Sequence, residues 1–149
     1  MVFEDGSVLQ QTIELEDNNT NILGESPSHI GIMSAMRTTF SDVKLSVSNG
    51  LCSGGFYATY VIDWNAHNDG IIAVKDPFCN VIGGSYSEMS VGINRSYESY
   101  ANRKPAEATY TVNVHYTVLM GGSETFIIKM LVGNDKMVVG KIGTVSISY

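Results

Sequence analysis

The segment "TYTVNVHYTV", residues 109 to 118, constrains the fold more than any other part of the chain. Tyr110, Val112, Val114, Tyr116 and Val118 fall on one face, and Thr109, Thr111, Asn113, His115 and Thr117 on the other. A period of two with one apolar face describes a half-buried antiparallel strand, which needs a second layer to cover its apolar side. The same period recurs elsewhere. "DVKLSVS" sets Val43, Leu45 and Val47 in register, and "YSEMSVGI" does so for Met89, Val91 and Ile93. "FYATYVID" reads as a buried strand, and "TFIIKMLV" carries apolar residues on both faces. "IIAVK" is a further strand, ended by "DPFCN".

Turn residues separate these runs: "SNG", "NAHNDG", Gly121-Gly122 and the "GND" of 133–135. Near the C-terminus, Gly140 and Gly143 allow a bend before "TVSISY", where Val145, Ile147 and Tyr149 share a face. Strand signals about ten residues apart predict an all-β single domain over 1–149, an antiparallel β-sandwich of about eight or nine strands. One short segment reads as helix. "PSHIGIMSAMRT" has Pro27 near its start and Ile30, Met33 and Met36 at three-residue spacing, while Gly31 and its length limit it to a turn or two.

The N-terminal part, an arm over 1–23, stands apart. "SVLQQTIELE" alternates, with Leu9, Ile13 and Leu15 on one side and Gln11 between them. About twenty residues rich in polar, Gly and Pro positions then precede the strand at Asp42, a long connection for a compact domain. The arm is either an ordinary first strand or one that pairs with the sheet edge of a neighbouring molecule. In the second case Leu9, Gln11, Ile13 and Leu15 are its assembly residues.

With 149 residues the chain buries a core without needing metals. Its net charge of −6 and pI near 4.9 argue against a nucleic-acid groove. Only 16% of residues are charged, which fits a surface partly covered by partner subunits. The best apolar run, "FIIKMLV", is strand-sized and interrupted by Lys129, so no transmembrane segment is expected. The opening "MVFEDGSVLQ" has neither the basic nor the apolar region of a signal peptide. Cys52 and Cys79 each lie at a strand–turn junction. A bond between them would close a loop of roughly 27 residues, worth about 3 kcal/mol; the other reading is two free buried thiols. Asn18 and Asn94 begin glycosylation sequons.

Chemistry-bearing motifs are sparse. No nucleophile elbow, phosphate loop, dinucleotide fingerprint, H-E-x-x-H or C-x-x-C is present. His29, His67 and His115 are scattered without a metal or base pattern, so no enzyme, metal or cofactor is expected. "DWNAHNDG" places Asp63, Asn65, His67 and Asp69 like the start of a calcium loop. It has Asn68 and Val74 where glycine and glutamate are required, so it reads as a turn. Glu14, Glu16 and Asp17 read as a charged edge.

The best ligand candidate is "RSYESYANRK", residues 95 to 104. Arg95, Tyr97, Tyr100, Arg103 and Lys104, with Tyr86 nearby in sequence, combine rings that stack on sugars or lipid headgroups with cations that meet carboxylate or phosphate. Two function classes follow. The first is a non-enzymatic structural subunit, a homo-oligomer assembling through edge strands in a surface fibre, pilus-like or virion or tail component. The alternative is a carbohydrate- or lipid-headgroup-binding module, lectin-, adhesin- or cytolysin-like, using the 95–104 loop. Either belongs outside the cell or on a particle surface.

Overall fold

The computed structural model describes residues 37–64, 66–117 and 121–149, and the backbone course of 10–14. Among the described residues eight strands form two four-stranded antiparallel sheets. The first sheet is β1 (Gln10–Glu14), β2 (Arg37–Ser48), β3 (Cys52–Asp63) and β4 (Gly70–Val81), in that order. The second is β5 (Gly84–Arg95), β6 (Ala106–Tyr116), β7 (Gly122–Gly133) and β8 (Lys136–Lys141). Among the described residues the helical content is one 3-10 turn, Tyr100–Asn102. The helix expected over 27–38 lies mostly outside the described residues, and its last two positions, Arg37 and Thr38, belong to β2.

Alternation supplies the core, as the period of two requires. Val43, Leu45 and Val47 of β2 and Phe56, Ala58, Tyr60 and Ile62 of β3 face Ala108, Tyr110, Val112 and Val114 of β6 and Phe126, Ile128, Met130 and Val132 of β7. In β7 the apolar residues of the other face, Ile127 and Leu131, lie outward of this layer. Between β7 and β8, Asn134 and Asp135 both take positive φ (48° and 59°), as a two-residue hairpin turn of this hand requires.

Three β-bulges explain where the alternation misleads. Of five register shifts in the ladders, these three fall between Phe40 and Val43 in β2, opposite Gly55–Tyr57 in β4, and between Ser87 and Ser90 in β5. At each, an acidic residue takes a left-handed conformation: Asp42 (φ 53°), Asp76 (49°) and Glu88 (50°). One extra residue inverts the pattern of faces. β2 therefore begins at Arg37, five positions before the clean alternation at Asp42, with Phe40 packed against the core and stacked on Tyr60. For the same reason β4 does not stop at "DPFCN" but runs through it to Val81: a further shift opposite Thr59–Tyr60 carries its core side from Ile71 to Val74, and the Asp76 bulge carries it on to Cys79 and Val81. Pro77 is tolerated because β4 is an edge strand.

The last segment, 142–149, keeps the expected alternation without joining a ladder. Val145, Ile147 and Tyr149 are half-buried, while Ser146 and Ser148 are exposed. It runs back beside β8 toward the β7–β8 turn, where the Asn134 side chain donates to the Ser148 carbonyl at 2.7 Å. A cleft of about 320 Å³ remains between this segment and the outer face of β6 and β7, with the Lys129–Glu107 ion pair (3.1 Å) in its lining.

Candidate functional site

Three connections meet at one end of the sandwich: 64–69 between β3 and β4, 96–105 between β5 and β6, and the β7–β8 turn. Loops carry unpaired backbone groups, and here two buried carboxylates satisfy them. Asp69 is 0% exposed. Its Oδ1 accepts the backbone N–H of Asp63 at 2.7 Å, and its Oδ2 accepts that of Asp135, in the opposite sheet's turn, at 2.8 Å. Glu98, also buried, accepts the N–H of Asp69 at 3.2 Å and that of Asn134 at 3.0 Å. The Glu98 N–H donates back to the Asp69 carbonyl at 2.9 Å, and the Ile71 N–H donates to the Ser96 carbonyl at 2.7 Å. The two carboxylates thus clamp both sheets and the 95–104 loop into one unit.

The electrostatics follow from this burial. Desolvation raises the pKa of the Asp69 carboxyl, opposed by its two backbone hydrogen bonds and aided by the nearby Glu98 charge. The Tyr149 hydroxyl is buried beside Glu98 without a hydrogen bond of good geometry. Burial, and then the Glu98 charge, push its pKa up.

On this base sits an aromatic group. The His67 ring stacks on Tyr100 with centroids 3.8 Å apart, and Tyr149 meets Tyr100 edge-on at 5.6 Å. Tyr97 lies over Gly70, where a β-carbon would come within 2.5 Å of its ring, and the two residues form an isolated β-bridge. Tyr97 and Tyr100 each remain 43% exposed. Gly70 is therefore needed for close approach of the ring.

The residues proposed from sequence separate into three groups. Tyr97, Tyr100, Arg103 and Lys104 share the loop end. Arg103 and Lys104 are exposed and have no side-chain partner among the described residues, and Arg103 takes φ 52° as it closes the 3-10 turn. Arg95 is committed inward, donating from Nη1 to the Pro105 carbonyl at 2.6 Å. Tyr86 lies far off, paired with Val114 about 30 Å along β5 from Arg95. His67, Asp69 and Glu98 were not in the ligand group read from sequence. Asp69 and Asp63 act as backbone acceptors, in line with the turn reading of "DWNAHNDG".

Other candidates resolve as follows. In the arm, Gln11 and Ile13 fall in β1, which pairs with β2 of the same chain from Gln10↔Ser48 to Glu14↔Lys44. Leu9 and Leu15 lie outside the described residues, as do Glu16, Asp17, Asn18 and His29. His115 stands between Ser87 (3.1 Å from Nε2) and Ser123 (2.7 Å from Nδ1) on the solvent side of β5–β7, a cross-strand hydrogen-bond row. The Asn94 amide is engaged by Glu107 at 2.8 Å and Thr109 at 2.6 Å. Cys52 and Cys79 are free thiols with sulfurs 3.8 Å apart. Among the described residues no cluster of His, Cys, Asp and Glu could hold a metal ion, and no helix is long and apolar enough to cross a membrane.

No protein-family model and no curated protein matches the chain. Among solved structures, it is similar to the crystal structure of hypothetical protein lmo2686 from Listeria monocytogenes EGD-e. The identity is 14% and the TM-score 0.46, over 90% of this chain and 99% of that one.

Proposed function

We propose that this protein is a non-enzymatic glycan-binding β-sandwich module whose binding face is the His67–Tyr97–Tyr100 platform. One observation carries the reading: half-exposed rings stand on a base whose backbone is clamped by Asp69 and Glu98. A flat ring face suits the C–H face of a sugar, and a pre-ordered loop loses little entropy on binding. Arg103 and Lys104 flank the platform and favour a sugar bearing a carboxylate or sulfate. Such a ligand fits a protein working outside the cell or on a particle surface.

A glycan array probed with wild type, His67→Ala and Tyr100→Ala tests this. Binding of a defined glycan class is expected, weakened about tenfold or more in each variant, since losing one stacked ring removes on the order of 1.4 kcal/mol. Binding that survives both substitutions, or adheres only to lipid vesicles, refutes it.

A second reading, self-assembly through the N-terminal arm, draws support from the place of β1 on an outer edge of its sheet. Deleting residues 1–20 then abolishes the oligomer while leaving a folded domain. Light scattering that finds the same mass for both forms removes that reading.

A further inference from the structure

At the end of the sandwich away from the platform, Cys52 opens β3 and Cys79 lies near the end of β4. The ladder pairs Cys52 with Val81 and Gly54 with Cys79, so the two cysteines are diagonal neighbours on one face. That face is the inner one, since Cys52 belongs to the core cluster and Cys79 packs against it. Their sulfurs stand 3.8 Å apart, and a disulfide bond of about 2.05 Å requires them to close by somewhat under 2 Å. The backbone is tied on both sides of the pair. The start of β3 is held, with the Cys52 N–H donating to the Asn49 Oδ1 at 2.8 Å and the Ile82 N–H to the Leu51 carbonyl at 2.8 Å. β4 is an edge strand, interrupted by the Asp76 bulge and Pro77 just before Cys79. The Ile82 bond and the Tyr110 hydroxyl donating to the Phe78 carbonyl at 2.9 Å hold the β4 end as well, so closure falls to rotation of the two side chains about Cα–Cβ.

We propose that Cys52 and Cys79 form a reversible disulfide that locks the edge strand β4 onto β3, with a low-molecular-weight disulfide as oxidant. Cys79 is partly exposed and Cys52 is buried, so access sets the order. The Cys79 thiolate attacks one sulfur of the oxidant, forming a mixed disulfide and expelling one small thiolate. The Cys52 sulfur then attacks Cys79, forming the internal bond and expelling the second small thiol, which takes the Cys52 proton. One oxidant disulfide is reduced to two thiols, and two protein thiols are oxidised to one disulfide. Burial, then the neighbouring Cys79, pushes the Cys52 thiol up to about 12, which accords with its acting second.

The test incubates the folded protein with oxidised glutathione and follows intact mass and thermal unfolding. The expected product is monomeric, lighter by two hydrogens, unreactive to iodoacetamide after unfolding, and higher in Tm by more than about 3 °C. Cys52→Ala is expected to stop at one glutathione on Cys79 without the rise in Tm, and Cys79→Ala to remain unmodified while folded. Wild type that keeps its glutathione, forms intermolecular dimers, or retains both free thiols overturns the proposal. None of these readouts involves glycan binding, so this inference and the platform stand or fall separately.

Discussion

Replacing Asp69 by alanine tests the clamp directly, because it removes an acceptor shared by two sheets. The side chain is 0% exposed and accepts two backbone N–H groups, from Asp63 at 2.7 Å and Asp135 at 2.8 Å. Without it the Asp63 donor is orphaned in a buried site, which costs about 1–3 kcal/mol. The Asp135 donor is only partly buried, so water can replace the carboxylate there and the cost falls at the lower end of that range. Against these losses stands relief from burying a charge close to Glu98 and Asp135. The two losses sum to about 2–4 kcal/mol, and with that relief the net loss expected is about 1–3 kcal/mol, read as a lower urea midpoint with an unchanged slope.

The pH dependence of that loss is a second check on the same residue. The folded-state pKa of Asp69 is raised above its ordinary 3.8, so the native state holds the proton more tightly than the unfolded chain. Its contribution is then fully present below 3.8 and declines as pH rises through the raised folded value. The stability gap between wild type and Asp69→Ala should therefore narrow from acid toward neutral pH and then level off. A loss under about 1 kcal/mol would falsify the clamp as described, and a gap that widens over that range would overturn the raised pKa. Asp63→Ala is the control: it removes only a 3.2 Å bond from the Ala66 N–H and is expected to cost about 0.5–1.5 kcal/mol.

Glu107 titrates with the opposite sign. Its pKa is lowered, first by the Asn94 hydrogen bond and then by Lys129, so its contribution is present above its ordinary 4.5 and lost as pH falls through the depressed value. Glu107→Gln should cost about 0.5–1.5 kcal/mol at pH 7 and match wild type at the acid limit, measured by urea unfolding across pH. Tyr110→Phe removes the 2.9 Å donation to the Phe78 carbonyl and should lower stability by about 0.5–1.5 kcal/mol, with no change in the far-ultraviolet spectrum. Gly55→Ala would drive a β-carbon into the Leu45 carbonyl of the adjacent strand, so a loss of about 3 kcal/mol or failure to fold is expected. Gly92→Ala meets nothing within 4 Å and should be neutral or gain about 0.5 kcal/mol in the same unfolding assay.

Much of this architecture was legible because a sheet face in contact with a core must alternate. The inward sets of β6, of β2 from Val43 onward, and of β5 from Met89 onward are the residues that the period of two selects. Bulges were illegible for the same reason. Asp42, Asp76 and Glu88 each insert a residue that inverts the alternation, so Phe40 counted back from Val43, and Cys79 counted on from Val74, fall on the outer face. The site was legible only as a loop. Tyr97 and Tyr100 stand out by composition, but the stacking of His67 on Tyr100 joins residues 33 positions apart through the β3–β4 turn. Glu98 was not legible because its partners are backbone N–H groups, which leave no trace in residue identity.

The distribution of edges bears on whether the arm can join two molecules. β4 and β5, the edges on one side of the sandwich, carry the Asp76 and Glu88 bulges, and β4 also carries Pro77. Such features discourage pairing with another chain. On the other side, β8 is short, and Val145 of the last segment covers its outer face at Gly140. The first sheet ends on that side in β1, which occupies the flank of β2 over five residues. A neighbour's arm can add there only by displacing the resident one, in the same register from Gln10↔Ser48 to Glu14↔Lys44. The exchanged ladder then has the same hydrogen bonds as the internal one, so the ladder itself contributes almost nothing to the difference between monomer and exchanged oligomer. Protein concentration decides it instead. An oligomer held by the arm should therefore dissociate on dilution without any change in strand content.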